Sequence, residues 1–178
     1  TGKPIVYVNN VGGQTDVICD GSSAFINSRG EAIALLKSFE EDFQIVDCDA
    51  DNEPIKFPKQ NKTVNVFKAI KLGLKDYFSK NGFKKACLGL SGGIDSAVVL
   101  SMAVEALGPE NVRVLLMPSQ FSSDHSVEDA RTLAENLGVE YQIVPINETF
   151  AALTTTLGPV FGELPFDVAE ENMQSRIR

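Results

Sequence analysis

The sequence predicts an α/β fold whose C-terminal part is a parallel sheet with helices on both faces. Three observations carry this expectation. From Thr63 onward, strand-length apolar runs alternate with helix-length amphipathic runs, the order that builds parallel βαβ units. The first of those strands runs straight into two glycines and a helix start, in the stretch "LGLSGGIDSAVVL" (88–100). Residues before 50 have a different texture, with short apolar runs broken by turn signals and no long helical pattern. The chain therefore divides into 1–50, a linker over 51–62, and 63–178.

In the first part, "PIVYVNN" (4–10) reads as a strand and "VGGQTD" (11–16) as a Gly-rich loop. "VICDGSSAFINSRGEAIALL" (17–36) holds two or three strands, with turns near Asp20-Gly21 and Arg29-Gly30. "DFQIVDCDA" (42–50) reads as one more strand. Two prolines and several charges make "ADNEPIKFPKQNK" (50–62) a linker or crossing arm.

Beyond it, Val66, Phe67, Ile70, Leu74, Tyr77 and Phe78 recur at helical spacing, and Asn81-Gly82 closes that helix. "KACLGL" (85–90), "VRVLLM" (112–117) and "EYQIVPI" (140–146) read as strands. The helix between the first two, from about Ser96 to Leu107, is apolar almost all round, as suits burial between a sheet and another layer. The helix between the last two presents Val127, Ala130, Leu133, Ala134 and Leu137 on one face. Ser126 is its expected N-cap and Gly138 its end. A last helical run, "AEENMQSRIR" (169–178), reaches the end of the sequence. That ending, and a first residue that is not Met, suggest a piece of a longer protein.

Composition bounds the function. The hydrophobic fraction of 43% is that of an ordinary globular chain. A net charge of -8 disfavours nucleic acid and anionic membranes as general partners, since both call for basic patches. No apolar run approaches the length of a membrane span, and no secretory signal is visible. The three cysteines have no metal-ligand or redox spacing; an odd count suggests reduced thiols and a cytoplasmic setting. Cys19, Cys48 and Cys87 read as core thiols, and His125, the single histidine, as a solvated residue near a helix start.

The turn after "KACLGL" is the strongest candidate site. It lies at the carboxyl edge of a parallel sheet, where ligands bind. Gly92 and Gly93 let phosphate approach the backbone, the helix start offers unpaired N–H groups, and Ser91 and Ser96 add hydroxyls. Asp95 among these donors would repel phosphate unless a cation bridges them, so it is a candidate Mg²⁺ ligand. The stretch lacks the lysine of a Walker A loop and does not fit the dinucleotide fingerprint G-x-G-x-x-G. The plainer alternative is a tight strand-to-helix turn with Asp95 as N-cap.

"SGGIDSA" resembles the pyrophosphate loop of the ATP pyrophosphatases, enzymes that adenylate a carbonyl oxygen, release pyrophosphate and let an amine displace AMP. Two further stretches resemble the NAD synthetases among them: "LLMPSQFSSDHSVEDARTLAENLG" (115–138) and "EENMQSRIR" (170–178). Residues 4–47 resemble the end of the nitrilase-like glutaminase domain of the glutamine-dependent members, with its α-β-β-α sandwich. The resemblance implies an adenine nucleotide alpha hydrolase-like fold for the C-terminal part.

It also implies ATP and Mg²⁺ as cofactors, deamido-NAD and glutamine or ammonia as substrates, and a homo-oligomer. It assigns ATP to Gly89, Leu90, Ser91, Gly92, Gly93, Ile94, Asp95, Ser96, Leu116 and Met117, and the metal and catalytic role to Asp95. Asn172 and Arg176, four apart on one helix face, are assigned to deamido-NAD. The polar loop "SQFSSDHS" has few apolar anchors and is expected to be mobile. The glutaminase's Glu, Lys and Cys are expected to lie before residue 1. Another amidotransferase ligase with the same loop, such as a GMP synthetase, or a non-catalytic nucleotide-binding module, fits the loop alone.

Overall fold

The computed structural model describes residues 2–50, 52–162 and 168–178. The chain forms two compact units, Thr1–Phe83 and Lys84–Arg178.

In the first unit, strands β1 (Ile5–Tyr7), β2 (Val11–Gln14), β3 (Val17–Asp20), β4 (Ala24–Ile26) and β5 (Ala32–Leu35) form two antiparallel sheets. One has the order β1-β4-β5, and the other is the β2-β3 hairpin. The stretch expected to be a Gly-rich loop is thus strand β2. Its glycines pair in register with Ile18 and Cys19, and Thr15 takes the left-handed turn conformation (φ 52°). Phe25, Ile33 and Ala34 form a small buried cluster, with Val46 packed against it.

The expected strand over 42–50 does not form. The Asp42 carboxylate accepts the N–H groups of Lys37 and Phe43, Asp47 accepts that of Asp49, and Phe43 and Ile45 stay exposed. Short acidic side chains compete here with a sheet ladder for the backbone. Residues 52–61 form no helix or strand, and Asp51, where the expected linker starts, lies outside the described residues.

Helix α1 (Lys62–Asn81) belongs to this unit. The Asn61 side chain caps its start by accepting from the Thr63 and Val64 N–H groups, and Gly82 (φ 72°) ends it. Its contact with the β2-β3 hairpin is close because Gly73 faces Ile18, where an added Cβ would sit 2.6 Å from Ile18 Cδ1. Beside it, the Asp76 carboxylate accepts from Gly13 N–H at 2.8 Å and from Lys80 Nζ at 3.0 Å. Lys80 Nζ also donates to the Gly13 carbonyl at 2.6 Å. The apolar positions Val66, Phe67, Ile70 and Tyr77 are exposed in this chain.

In the second unit, β6 (Ala86–Gly89), β7 (Val112–Leu116) and β8 (Glu140–Ile143) form a parallel sheet in sequential order, flanked by helices as expected. Helix α2 (Ile94–Leu107) joins β6 to β7 by way of a 3-10 turn at Pro109–Asn111. Helix α3 (Asp124–Asn136) joins β7 to β8, and α4 (Asn147–Phe161) and α5 (Val168–Ile177) follow. The core gathers Leu100, Val114 and Leu116 with Leu90, Ala130, Ala134, Val139, Ile146 and Phe150.

Several local expectations are corrected. Ser123, not Ser126, caps α3: its Oγ accepts the Ser126 N–H at 3.2 Å. Gly138 (φ 66°) does end α3, returning its N–H to Glu135 while Val139 N–H reaches Ala134. Only Leu100 and Ala103 of α2 are buried, and Ile94, Val98 and Val99 are exposed, so its second apolar face is open in this chain. Cys19 is half-buried, but Cys48 and Cys87 are exposed rather than core. No helix among the described residues is long and apolar enough to cross a membrane.

The Asp76 network yields a test. Its hydrogen bond from Gly13 N–H and the nearby Lys80 ammonium hold the Asp76 carboxyl below the usual carboxylate range. Its stabilisation is present above the ordinary aspartate range and is lost as pH falls through the lowered folded value. Asp76→Ala should cost about 1–3 kcal/mol at neutral pH. The gap to the parent should close on acidification, as read by urea unfolding across pH. A gap that is constant with pH would refute the network's role.

Candidate functional site

The site begins where the parallel ladder runs past its strands. Leu90 N–H donates to Leu115 O at 2.9 Å, carrying pairing beyond β6. Val144 and Ile146 N–H likewise reach Leu116 O and Pro118 O beyond β8. These bonds fix the chain ends around the turn that follows β6.

Gly92 then takes φ +77°, and a Cβ there would lie 2.2 Å from Ser126 O and 2.9 Å from Ser126 C and Cα. The turn therefore leans on the first turn of α3, and only glycine fits. Gly89 is less constrained, since its Cβ would meet the flexible end of Met117 at 3.1 Å.

The loop is stitched by its own hydroxyls. Ser91 Oγ and Ser96 Oγ are 3.0 Å apart, and Ser91 N–H donates to Ser96 Oγ at 3.2 Å. Gly93 N–H donates to Ser91 Oγ at 3.2 Å, and Ser96 Oγ–H to Gly93 O at 2.9 Å. The N-cap of α2 is Gly93, with no side-chain cap. Asp95 lies exposed in the first turn and caps nothing, which removes the reading of Asp95 as an N-cap. The N–H groups of Gly92, Ile94, Asp95 and Ser96 have no hydrogen-bond partner among the described residues. A helix start with free N–H groups is an anion site.

A cavity of about 550 Å³ opens beside this loop. Of the sequence-predicted residues it takes in Gly89, Leu90, Ser91, Leu116 and Met117. Gly92, Gly93, Ile94, Asp95 and Ser96 continue directly from Ser91 but do not line it. Pro118, Phe121, Val127 and Ala130 add apolar wall, and Ser119, Ser122, Ser123 and Ser126 add hydroxyls.

Sequence reasoning missed two residues that reach this cavity, Gln174 in α5 and Arg178 just after it. Gln174 Oε1 accepts from Ser119 Oγ at 2.7 Å, with both residues buried. Arg178 Nε donates to Met117 O at 3.1 Å. Asn172 and Arg176 lie on the exposed side of α5 and do not line the cavity. The signal was present in principle, because Gln174 and Arg178 are also four apart. The polar loop has more anchors than its sequence suggested. Ser119 N–H donates to Ser122 Oγ at 3.0 Å, and the Phe121 ring meets Phe150 edge-on at 5.9 Å. His125 sits exposed in the first turn of α3.

The residues present fit a Mg²⁺ held mainly by phosphate oxygens and water. The described residues contain no cluster of three or more potential protein ligands, and Asp95 is a single free carboxylate at the anion-binding helix start. Magnesium commonly takes one or two carboxylates and leaves its other positions to phosphate and water.

The NAD synthase family model matches residues 66–178. The chain is similar to a glutamine-dependent NAD(+) synthetase of Synechocystis sp., at 47% identity over 98% of this chain and 32% of that protein. The solved glutamine-dependent NAD+ synthetase of Acinetobacter baumannii in complex with ADP is 40% identical. It superposes with a TM-score of 0.91 over 98% of this chain and 34% of its own. The NH3-dependent NAD synthetase of Campylobacter jejuni is 32% identical, with a TM-score of 0.58 over 67% of this chain and 49% of its own. This chain thus spans about a third of the length of the curated relatives it matches.

The close approach of Gly92 to Ser126 gives a sharp contrast. Gly92→Ala should destabilise the second unit by about 2–4 kcal/mol, from left-handed strain and a backbone collision. Gly89→Ala should cost under about 1 kcal/mol, because only a methionine tip must move. Denaturant unfolding of the two variants measures the difference, and equal losses would contradict the assigned contact.

Proposed function

The chain belongs to the NAD synthase family, and on that premise we propose that the protein carrying it amidates deamido-NAD to NAD, with glutamine as the nitrogen source. The observation that carries this reading is the uncapped helix start at Gly93 beside a cavity of about 550 Å³ lined by both apolar side chains and hydroxyls: a helix end suited to phosphate next to room for a nucleoside. The ADP bound to the Acinetobacter baumannii relative supports ATP as the nucleotide.

In this reading ATP lies along Gly89, Leu90, Ser91, Gly92, Gly93, Ile94, Asp95 and Ser96, with its adenine near Leu116 and Met117. The free N–H groups of the loop and the first turn of α2 orient the phosphates. Asp95 would hold Mg²⁺, which neutralises charge on the departing pyrophosphate when bound. The deamido-NAD carboxylate attacks the α-phosphorus and pyrophosphate leaves. Ammonia then attacks the activated carbonyl carbon, and AMP leaves with the electron pair of the broken C–O bond. Asn172 and Arg176 orient deamido-NAD, the guanidinium pairing with its anionic groups.

Residues 1–50 are read as part of a nitrilase-like glutaminase whose Glu, Lys and Cys are not among the residues of this chain. Cys19 lies in β3, paired with Gly12, and is not assigned as a nucleophile. A cytoplasmic homo-oligomer is part of the same reading.

Two variants of the complete protein test it. Asp95→Ala should lower ATP-dependent NAD formation by at least about a thousand-fold, with either glutamine or free ammonia, while glutamine hydrolysis persists. NAD formation at the parental rate would refute the assignment. Arg176→Ala should raise KM for deamido-NAD at least about ten-fold with little change in KM for ATP; the reverse pattern would move Arg176 to the nucleotide.

A further inference from the structure

Gln174 is a polar side chain in the cavity wall, and it is more than nine-tenths buried. Its carboxamide is held in one sense. Ser119 Oγ accepts the Phe121 N–H at 3.2 Å, which leaves the hydroxyl its single proton to give away. That proton goes to Gln174 Oε1 at 2.7 Å. Turning the amide over would leave the hydroxyl proton of the buried Ser119 without an acceptor among the described residues, so the oxygen is committed and the NH₂ end is not.

The Nε2 group has no hydrogen-bond partner among the described residues. Among the described residues no buried side-chain nitrogen or oxygen is left unsatisfied, so Nε2 keeps contact with open space. Gln174 is among the residues that line the cavity. Arg178 is differently engaged: its guanidinium donates to Met117 O and, at 3.4 Å, to Ser122 Oγ. Gln174 thus brings an uncharged donor to a cavity whose wall combines Leu116, Pro118, Val127 and Ala130 with the hydroxyls of Ser122, Ser123 and Ser126.

We propose that Gln174 is a base-reading residue: its Nε2 donates to a ring nitrogen of the adenine, and Ser119 locks the amide in that sense. This rests on the reading of the cavity as the ATP site. Adenine suits the cavity because it is flat and apolar on its faces. Its ring nitrogens N1, N3 and N7 are acceptors, whereas guanine carries a proton on N1. A fixed donor discriminates strongly, because a ligand without the matching acceptor leaves that donor dry.

The test uses the complete protein with ATP and its 1-, 3- and 7-deaza analogues, each lacking one ring nitrogen. The parent should bind one of the three about ten-fold more weakly than ATP. In Gln174→Met, which keeps the volume and loses the donor, that ratio should collapse to within about two-fold. Ser119→Ala, which unlocks the amide, should give an intermediate ratio. Each ratio is taken within one variant, so lowered stability alone does not move it.

If Gln174→Met keeps the parental ratio, or if no deaza analogue is disfavoured by the parent, the inference is overturned while the ATP assignment stands. If the parent binds no ATP and releases no pyrophosphate, the reading of the cavity falls, and this inference with it.

Discussion

Gly92 stands against the backbone of Ser126 with no room for a methyl group. That one approach joins the turn after β6 to the start of α3, two elements from successive βα units. The parallel register already brings the ends of β6 and β7 side by side, with Gly89 opposite Leu115. The glycine contact then folds the turn down onto α3, and the cavity lies among Ser91, Leu116 and Ser126. A side chain at position 92 would have to push α3 away, and the turn carrying the free N–H groups would move with it. Backbone contacts of this kind do not yield as side chains do, which is why the site's geometry is set here.

This part of the molecule was legible in the sequence because its chemistry and its fold demand the same letters. A strand end, two glycines and an apolar helix start are needed both for the turn and for phosphate. Asp95 stood out as a candidate for a different reason: it lies exposed in the first turn of α2 and caps nothing. The α5 contribution was harder to read. Helical spacing pairs Asn172 with Arg176 and equally Gln174 with Arg178, and spacing alone does not say which pair turns inward. Met173, the apolar residue between Asn172 and Gln174, is buried and marks the inward face. Its neighbour Gln174 shares that face, but a glutamine in the core is identified only by its partner. That partner, Ser119, comes from 55 residues earlier in a loop that looked merely polar.

Other misreadings have local causes. "VGGQ" looked like a loop because two glycines are poor strand formers. It is a strand because it pairs in register with Val17–Asp20. Helix α4 gave little warning, since Thr154, Thr155 and Thr156 are weak helix formers and Pro159 follows them. The three hydroxyls instead bond back to the carbonyls one turn earlier, each at 2.9 Å. The open apolar faces of α1 and α2 show the limit of reading burial from composition: an amphipathic pattern says that a face is built for cover, not that the cover lies in the same stretch of chain.

The hydroxyl stitching of the loop has a consequence for how tightly an anion is held. Ser91 and Ser96 already satisfy one another, and both serve the Gly93 peptide group. An arriving phosphate oxygen that recruits either hydroxyl takes it from an existing partner, so the exchange is nearly even. The backbone N–H groups of Gly92, Ile94, Asp95 and Ser96 surrender only water. Affinity at this loop should therefore be written mostly in the main chain, which side-chain substitution leaves in place. The serines then act as a latch that orders the empty loop during folding, so a phosphate bound there in the proposed reading would not have to meet that cost.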